Sequence, residues 1–146
     1  MRVVLDTDVM VAALRSDRGA SRQLLLAAFD GRLVILASVP LMLEYEAVLT
    51  RPGQLEETGL TVEETNAVLD AVAAVAEPVT LRFMWRPQLK DPADEMVLDT
   101  AVNGYAGLLA TFNARHLSGA ALRFGIRAKQ PGEIWREIQG AKYEKK

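Results

Sequence analysis

Arg2-Val3-Val4-Leu5-Asp6-Thr7-Asp8-Val9 decides how the rest of the chain is read. An unbroken apolar run with two β-branched valines suits a strand buried on both faces, and such strands belong to parallel sheets covered by helices. The run stops on an acid, Asp6, at the carboxyl end of the strand. In open α/β sheets, ligands and catalytic groups gather in the crevice beyond those ends.

Outward from this strand, β-like runs alternate with amphipathic helices, the pattern of a parallel sheet between helical layers. A short helix is predicted over Val9–Leu14, with Asp8 as its cap, then a loop through Ser16-Asp17-Arg18-Gly19. Another helix is predicted over Ala20–Asp30, stopped by Gly31. Leu33–Ala37 reads as the second strand. Ser38-Val39-Pro40 opens a helix to about Thr50, with Ser38 as N-cap and Pro40 tolerated in the first turn. Arg51-Pro52-Gly53 ends it. Thr61-Val62-Glu63-Glu64 has capping-box spacing and starts a helix to Val75. Val79–Phe83 reads as a short strand, followed by an irregular stretch to Lys90. Asp91-Pro92 starts a helix ending near Asn103-Gly104. Leu108–Phe112 is a strand, Ala114–Leu117 a short helix, Arg123–Ala128 the last strand, and Pro131-Gly132-Glu133 starts a terminal helix. The expected fold is a three-layer α/β/α sandwich with four or five parallel strands. Residues 1–140 form one domain and 141–146 a flexible tail.

Bulk composition narrows the function. Half of the 146 residues are apolar and a quarter charged, as in a globular chain. No apolar stretch approaches the ~20 residues that span a bilayer, so no membrane role is expected. The first strand follows the N-terminus directly, which reads as no secretory signal. The chain has no cysteine, which excludes a disulfide framework and thiolate ligands and fits a cytoplasmic location. A net charge of −2 argues against a simple basic nucleic-acid binder. Phosphate chemistry would need local arginines, or a cation among clustered carboxylates.

Three carboxylates stand out. Asp6 sits at the strand end, with capping of the next turn as its ordinary structural alternative. Leu41, Tyr45, Val48 and Leu49 form the apolar stripe of the Ser38–Thr50 helix; Glu44 borders it while Glu46 faces solvent. A carboxylate there needs a partner, and a structural arginine would also serve. Asp94, Val97, Leu98, Ala101 and Val102 follow helical spacing, so an acid occupies a core-facing position. The alternative is a first-turn acid satisfying the helix dipole. Glu95 and Asp99 fall off this stripe and read as surface charges. Thr111 and Asn113 end another strand, in Thr111-Phe112-Asn113-Ala114-Arg115-His116. The convergence of the set favours function over each separate alternative.

Acids brought together need a shared proton or cation. Hard oxygen ligands without cysteine suit Mg²⁺ or Mn²⁺, with Asp6, Glu44 and Asp94 as the metal set. His116 is the only histidine, so zinc sites are not expected, and no nucleotide-cradling glycine motif or Gly-x-Ser-x-Gly elbow is present. Metal-assisted phosphodiester hydrolysis fits these residues.

The same segments resemble the PIN-domain ribonucleases. Val3-Val4-Leu5-Asp6-Thr7-Asp8-Val9 is similar to that family's opening motif, and Ser38 to Leu49 with Glu44 to its second. Asp91-Pro92-Ala93-Asp94-Glu95-Met96-Val97-Leu98 is similar to the third. Thr111-Phe112-Asn113-Ala114-Arg115-His116 occupies the fourth, where many relatives carry aspartates and this chain has Asn113 and His116. Phe124-Gly125-Ile126 and Pro131-Gly132-Glu133 resemble the last strand and helix. The branch it most resembles is the stand-alone bacterial toxins of toxin–antitoxin pairs (VapC-like). This implies metal-dependent RNA cleavage by Asp6, Glu44, Asp94 and Asn113, supported by Thr7, Asp8, Thr111 and His116. It also implies a homodimer and a cognate antitoxin protein. Arg15, Arg18 and Arg115 are candidate RNA contacts. Two other readings stay open: an impaired PIN module that binds RNA or protein without cleavage, and a haloacid-dehalogenase-like phosphatase using Asp6 and Asp8.

Overall fold

The computed structural model describes residues 1–84, 89 and 91–144. Most of the irregular stretch expected before Lys90, and the last two residues of the tail, lie outside these. In chain order the elements are β1 (Arg2–Leu5), α1 (Thr7–Arg15), α2 (Ala20–Phe29), β2 (Val34–Ala37), α3 (Val39–Leu49), α4 (Pro52–Thr58) and α5 (Val62–Val75). They continue as β3 (Glu77–Pro78), α6 (Pro92–Asn103), β4 (Leu108–Ala110), α7 (Ala114–Leu122), β5 (Arg127–Lys129) and α8 (Pro131–Glu144). The backbone of 141–144, placed in a tail by the sequence reading, continues α8.

All pairings in the five-stranded sheet are parallel, in the order β3-β2-β1-β4-β5. The α/β sandwich expected from the sequence is therefore present. β1 lies at the centre, with Arg2 opposite Val34 on one side and Val3, Val4 and Leu5 opposite Leu108, Leu109 and Ala110 on the other. Right-handed crossovers put α1 to α5 on one face of the sheet and α6 with α7 on the other. α1 meets α2 and α3, and α3 meets α5, while α6 lies along β1, β2 and β4 and also touches α3. α8 returns to α2, where Arg32 stacks 5.6 Å from the Trp135 ring. Val3, Val4 and Leu5 are fully buried together with Leu36, Leu109, Tyr45 and Leu117. Side chains of the larger kinds contribute about 1.5–3 kcal/mol each relative to exposure.

Local chemistry fixes the helix starts. The Ser38 hydroxyl accepts from Leu41 N–H, and Thr61 with Glu64 forms the full capping box. Several boundaries depart from the sequence reading. α1 begins at Thr7, two residues before the expected Val9, and Asp6 caps it, as the structural alternative for that residue has it. Pro52 does not merely end α3; it occupies the first turn of α4, where its missing N–H costs nothing. The third strand is Glu77–Pro78 rather than Val79–Phe83, and the last is Arg127–Lys129 because α7 extends to Leu122. After α7, Gly125 takes a φ of +73° to turn the chain into β5.

Glu95 and Asp99 overturn their reading as surface charges: they are only 4% and 2% exposed. Helical periodicity assigns one buried face, but α6 is covered on two. The chain after β3 crosses its outer side, with Asn103 Oδ1 accepting from Arg82 N–H and Phe83 N–H at 2.9 Å each. Glu95 Oε1 accepts from Leu89 N–H at 2.6 Å.

Candidate active site

The strand order reverses direction between β1 and β4, since the chain builds outward to β3 before returning to β4 and β5. This is the topological switch point where α/β sheets leave an open crevice. Asp6 leaves β1 and Thr111 leaves β4 on its two sides, joined by a 2.7 Å bond from the Thr111 hydroxyl to Asp6 Oδ2. Thr7 N–H donates to Asp6 Oδ1 at 2.8 Å. The Thr111 oxygen also accepts from Asn113 N–H at 2.9 Å. Asp6 thus stays fixed and is only 7% exposed.

Asp8, in the first turn of α1, accepts from Phe112 N–H at 3.3 Å through Oδ2. Its Oδ1 and the Thr7 hydroxyl oxygen are buried without a hydrogen-bond partner among the described residues. The carboxyl of Asp6 is pushed up to about 6, first by burial and then by the charge of Asp8, against the stabilising bonds from Thr111 and Thr7. Burial raises Asp8 too, with Asp94 adding repulsion. Asp94, in the first turn of α6, is raised by burial and by the charges of Asp6 and Asp91, while His116 opposes the shift. Asp8 thus disfavours ionisation of Asp6, Asp94 that of Asp8, and Asp6 that of Asp94.

The structure brings Asp6, Asp8, Asp94, Thr111 and His116 into one electrostatic neighbourhood. Asn113 caps α7 with its backbone, and its side chain makes no capping bond. Glu44 is half-buried on α3 and makes no hydrogen bond or ion pair among the described residues. Its neighbour Tyr45 is fully buried and donates its hydroxyl to the Leu5 carbonyl, tying α3 to the end of β1. Tyr45 was readable only as a core residue, because nothing in the spacing shows what its hydroxyl meets. Arg15 pairs with Glu57 at 2.9 Å, whereas Arg18 and Arg115 are exposed.

A family model described as PIN domain matches residues 2–115. The chain belongs to the PIN-domain family. The match takes in Asp6, Glu44, Asp94 and Asn113, and ends just before His116. No curated protein matches the chain significantly. PIN domains are generally nucleases, bind RNA and typically use divalent metal ions. The match leaves the phosphatase reading of Asp6 and Asp8 without support.

The residues of this PIN domain fit a divalent cation. Two buried oxygens lack partners, and the nearby donors are hard carboxylate and hydroxyl oxygens. A cation would relieve the repulsion that raises all three aspartates. Among the described residues, no three His, Asp or Glu side chains form a preassembled metal cage, so the acids must adjust around any ion. No described helix is long and apolar enough to cross a membrane.

Proposed function

We infer that this PIN domain is a Mg²⁺- or Mn²⁺-dependent endoribonuclease and the toxin of a toxin–antitoxin pair. The observation that carries the catalytic reading is the meeting of Asp6 and Asp8 at the switch point, with Asp94 adding a third negative charge. A purely structural cluster would be paired off with cations; among the described residues these three aspartates form no ion pair with Lys or Arg, and burial without compensation is costly.

Asp6, Asp8 and Asp94 would hold the ion, with Glu44 completing the shell or orienting water from α3. A cation held there would supply Lewis acidity to a phosphoryl oxygen and to an attacking water. Thr7 N–H and the Thr111 hydroxyl keep Asp6 in one orientation, which limits reorganisation during the reaction. Hydrolysis joins the water oxygen to phosphorus, breaks the phosphorus–oxygen ester bond and leaves a proton for the departing oxygen. His116, on the first turn of α7 and near Asp94, would bind or protonate that oxygen. The uncommitted Asn113 amide supplies a hydrogen bond but no charge.

The toxin assignment, the homodimer, the cytoplasmic location and a small antitoxin partner follow from the family resemblance. Residues 1–140 act as the one domain of this reading. Asn113 supports a second reading, in which the site binds RNA without turnover. The deciding experiment incubates purified protein with a broad RNA panel and Mn²⁺ or Mg²⁺, using EDTA and Asp94→Asn as controls. Cleavage that requires both metal and Asp94 is expected. Cleavage that survives both controls overturns the assignment, and RNA retention without turnover supports the binding module.

A further inference from the structure

A cleft of about 440 Å³ opens beside the aspartates, between α1, α3, α4 and the turn after β4. Its volume falls in the range of small-ligand pockets, roughly 300–1,000 Å³. Asp8, Val11, Ala12 and Arg15 line one wall. They are spaced i, i+3, i+4 and i+7, so they share one face of α1. At about 1.5 Å per residue, that wall runs roughly 10 Å from the acids to a cation. Val48 and Gln54 form the opposite side, and the Phe112 ring, 49% exposed, also borders the cleft.

Two features single this cleft out. The Gln54 side-chain oxygen is buried without a hydrogen-bond partner, and neither end of its amide is bonded among the described residues. An unpaired buried amide is unfavourable unless something supplies its partner. The backbone of Phe112 is tied to α1, because its N–H donates to Asp8 at 3.3 Å. An aromatic face, an unpaired amide and an apolar wall suit a flat group with hydrogen-bonding edges.

The geometry points to this cleft as the pocket for an unpaired nucleobase next to the scissile phosphate, with Phe112 stacking on it and Gln54 reading its edge. This assignment rests on the ribonuclease reading above. Proteins that read RNA sequence do so on unstacked bases, through aromatic faces and edge hydrogen bonds. Gln54 is then a specificity residue rather than a catalytic one, and α4 supplies the selectivity of an otherwise charge-driven site. Arg15 at the far end is engaged by Glu57, and Gln54 carries the unpaired polar atom of the lining away from the Thr7–Asp8 end.

The test measures binding, so it does not depend on turnover. Fluorescence anisotropy follows labelled single-stranded octamers of A, C, G or U added to the full chain with Ca²⁺. Wild type is expected to favour one base at least about fivefold. Gln54→Leu should reduce that preference to within about twofold, and Gln54→Glu should redirect it towards bases presenting donors. Phe112→Ala should weaken binding of every octamer about tenfold, in line with the loss of one stacking platform, while Phe29→Ala on α2 changes nothing. Circular dichroism checks that each variant is folded. An unchanged preference in both Gln54 variants overturns the pocket, as does wild-type affinity in Phe112→Ala or no binding of any octamer by wild type. Base-selective binding lost in these variants, with no cleavage in the panel above, keeps the pocket and rejects the nuclease.

Discussion

At the amino end of the sheet, Arg2 of β1 reaches past β2 to Glu77 of β3 with bonds of 3.0 and 2.5 Å, and donates to the Gly104 carbonyl at 2.7 Å. At the other end of the same strand, Asp6 meets Asp8 and lies near Asp94. One pole closes its charges on each other; the other gathers charges of one sign. The hydrogen bond from Arg2 raises its own proton affinity and holds Glu77 below the usual carboxylate range, whereas burial and mutual repulsion raise the three aspartates. Opposite signs at the amino pole need nothing from outside. Like signs at the carboxyl pole create a demand for a ligand, and that contrast supports the carboxyl pole as the candidate site where composition alone is silent.

The largest expected effect tests the open pole directly. Asp6→Asn or Asp94→Asn should reduce metal-dependent RNA cleavage by about a thousandfold or more, since metal-borne charge stabilisation is worth several kcal/mol. Single-turnover rates measure this, and wild-type rates in either variant would break the comparison.

The next effect is on stability against pH. Folded Asp6 has a pKa of about 6 against its ordinary 3.8. Between those values the folded state holds more protons than the unfolded state, so stability falls as pH rises. The contribution is fully present below about 3.8 and lost above about 6. It amounts to roughly 2–3 kcal/mol at about 1.4 kcal/mol per tenfold change in proton affinity. Denaturant melts without metal should show this slope, Mn²⁺ should restore stability above pH ~6, and Asp6→Asn should flatten the curve. A metal-free profile that rises over this range would contradict the charge imbalance.

The amino pole should respond through packing. A Cβ on Gly104 would stand 2.8 Å from Val79 Cγ2 and 3.0 Å from both Leu36 Cδ1 and the Thr100 carbonyl. Gly104→Ala should therefore cost about 1–3 kcal/mol in denaturant melts and leave the metal dependence of cleavage intact. The smallest effect belongs to Glu77→Gln. Exposed ion pairs contribute little, so cleavage should stay within about twofold of wild type and the melting temperature should barely move.

The sequence exposed the carboxyl pole more clearly than the elements around it. Asp6 announced itself by ending an apolar run, Thr111 and Asn113 by following another, and Asp94 by interrupting a helical stripe. Positions at strand ends are legible because parallel topology sends those ends to one side. Glu95 and Asp99 were misread because periodicity counts one buried face, and a crossing segment covers the second. α4 was missed because Pro-Gly spells both a stop and a helix's first turn. Gln54 and Phe112 carried no local signal: only the packing of α4 on α1, and the turn after β4, brings them to one cleft.

The ladder that pairs Val3–Leu5 with Leu108–Ala110 has a consequence for synthesis. Ribosomes make β1 before β4, the neighbour across the switch point, which follows more than a hundred residues later. Such distant pairings form late, because long loops must close before the contact is gained. Asp6 therefore has no Thr111 bond and no completed switch point in any nascent fragment lacking β4. The fold therefore delays assembly of this candidate site until β4 has been made, and a nascent fragment that stops before Leu108 lacks it.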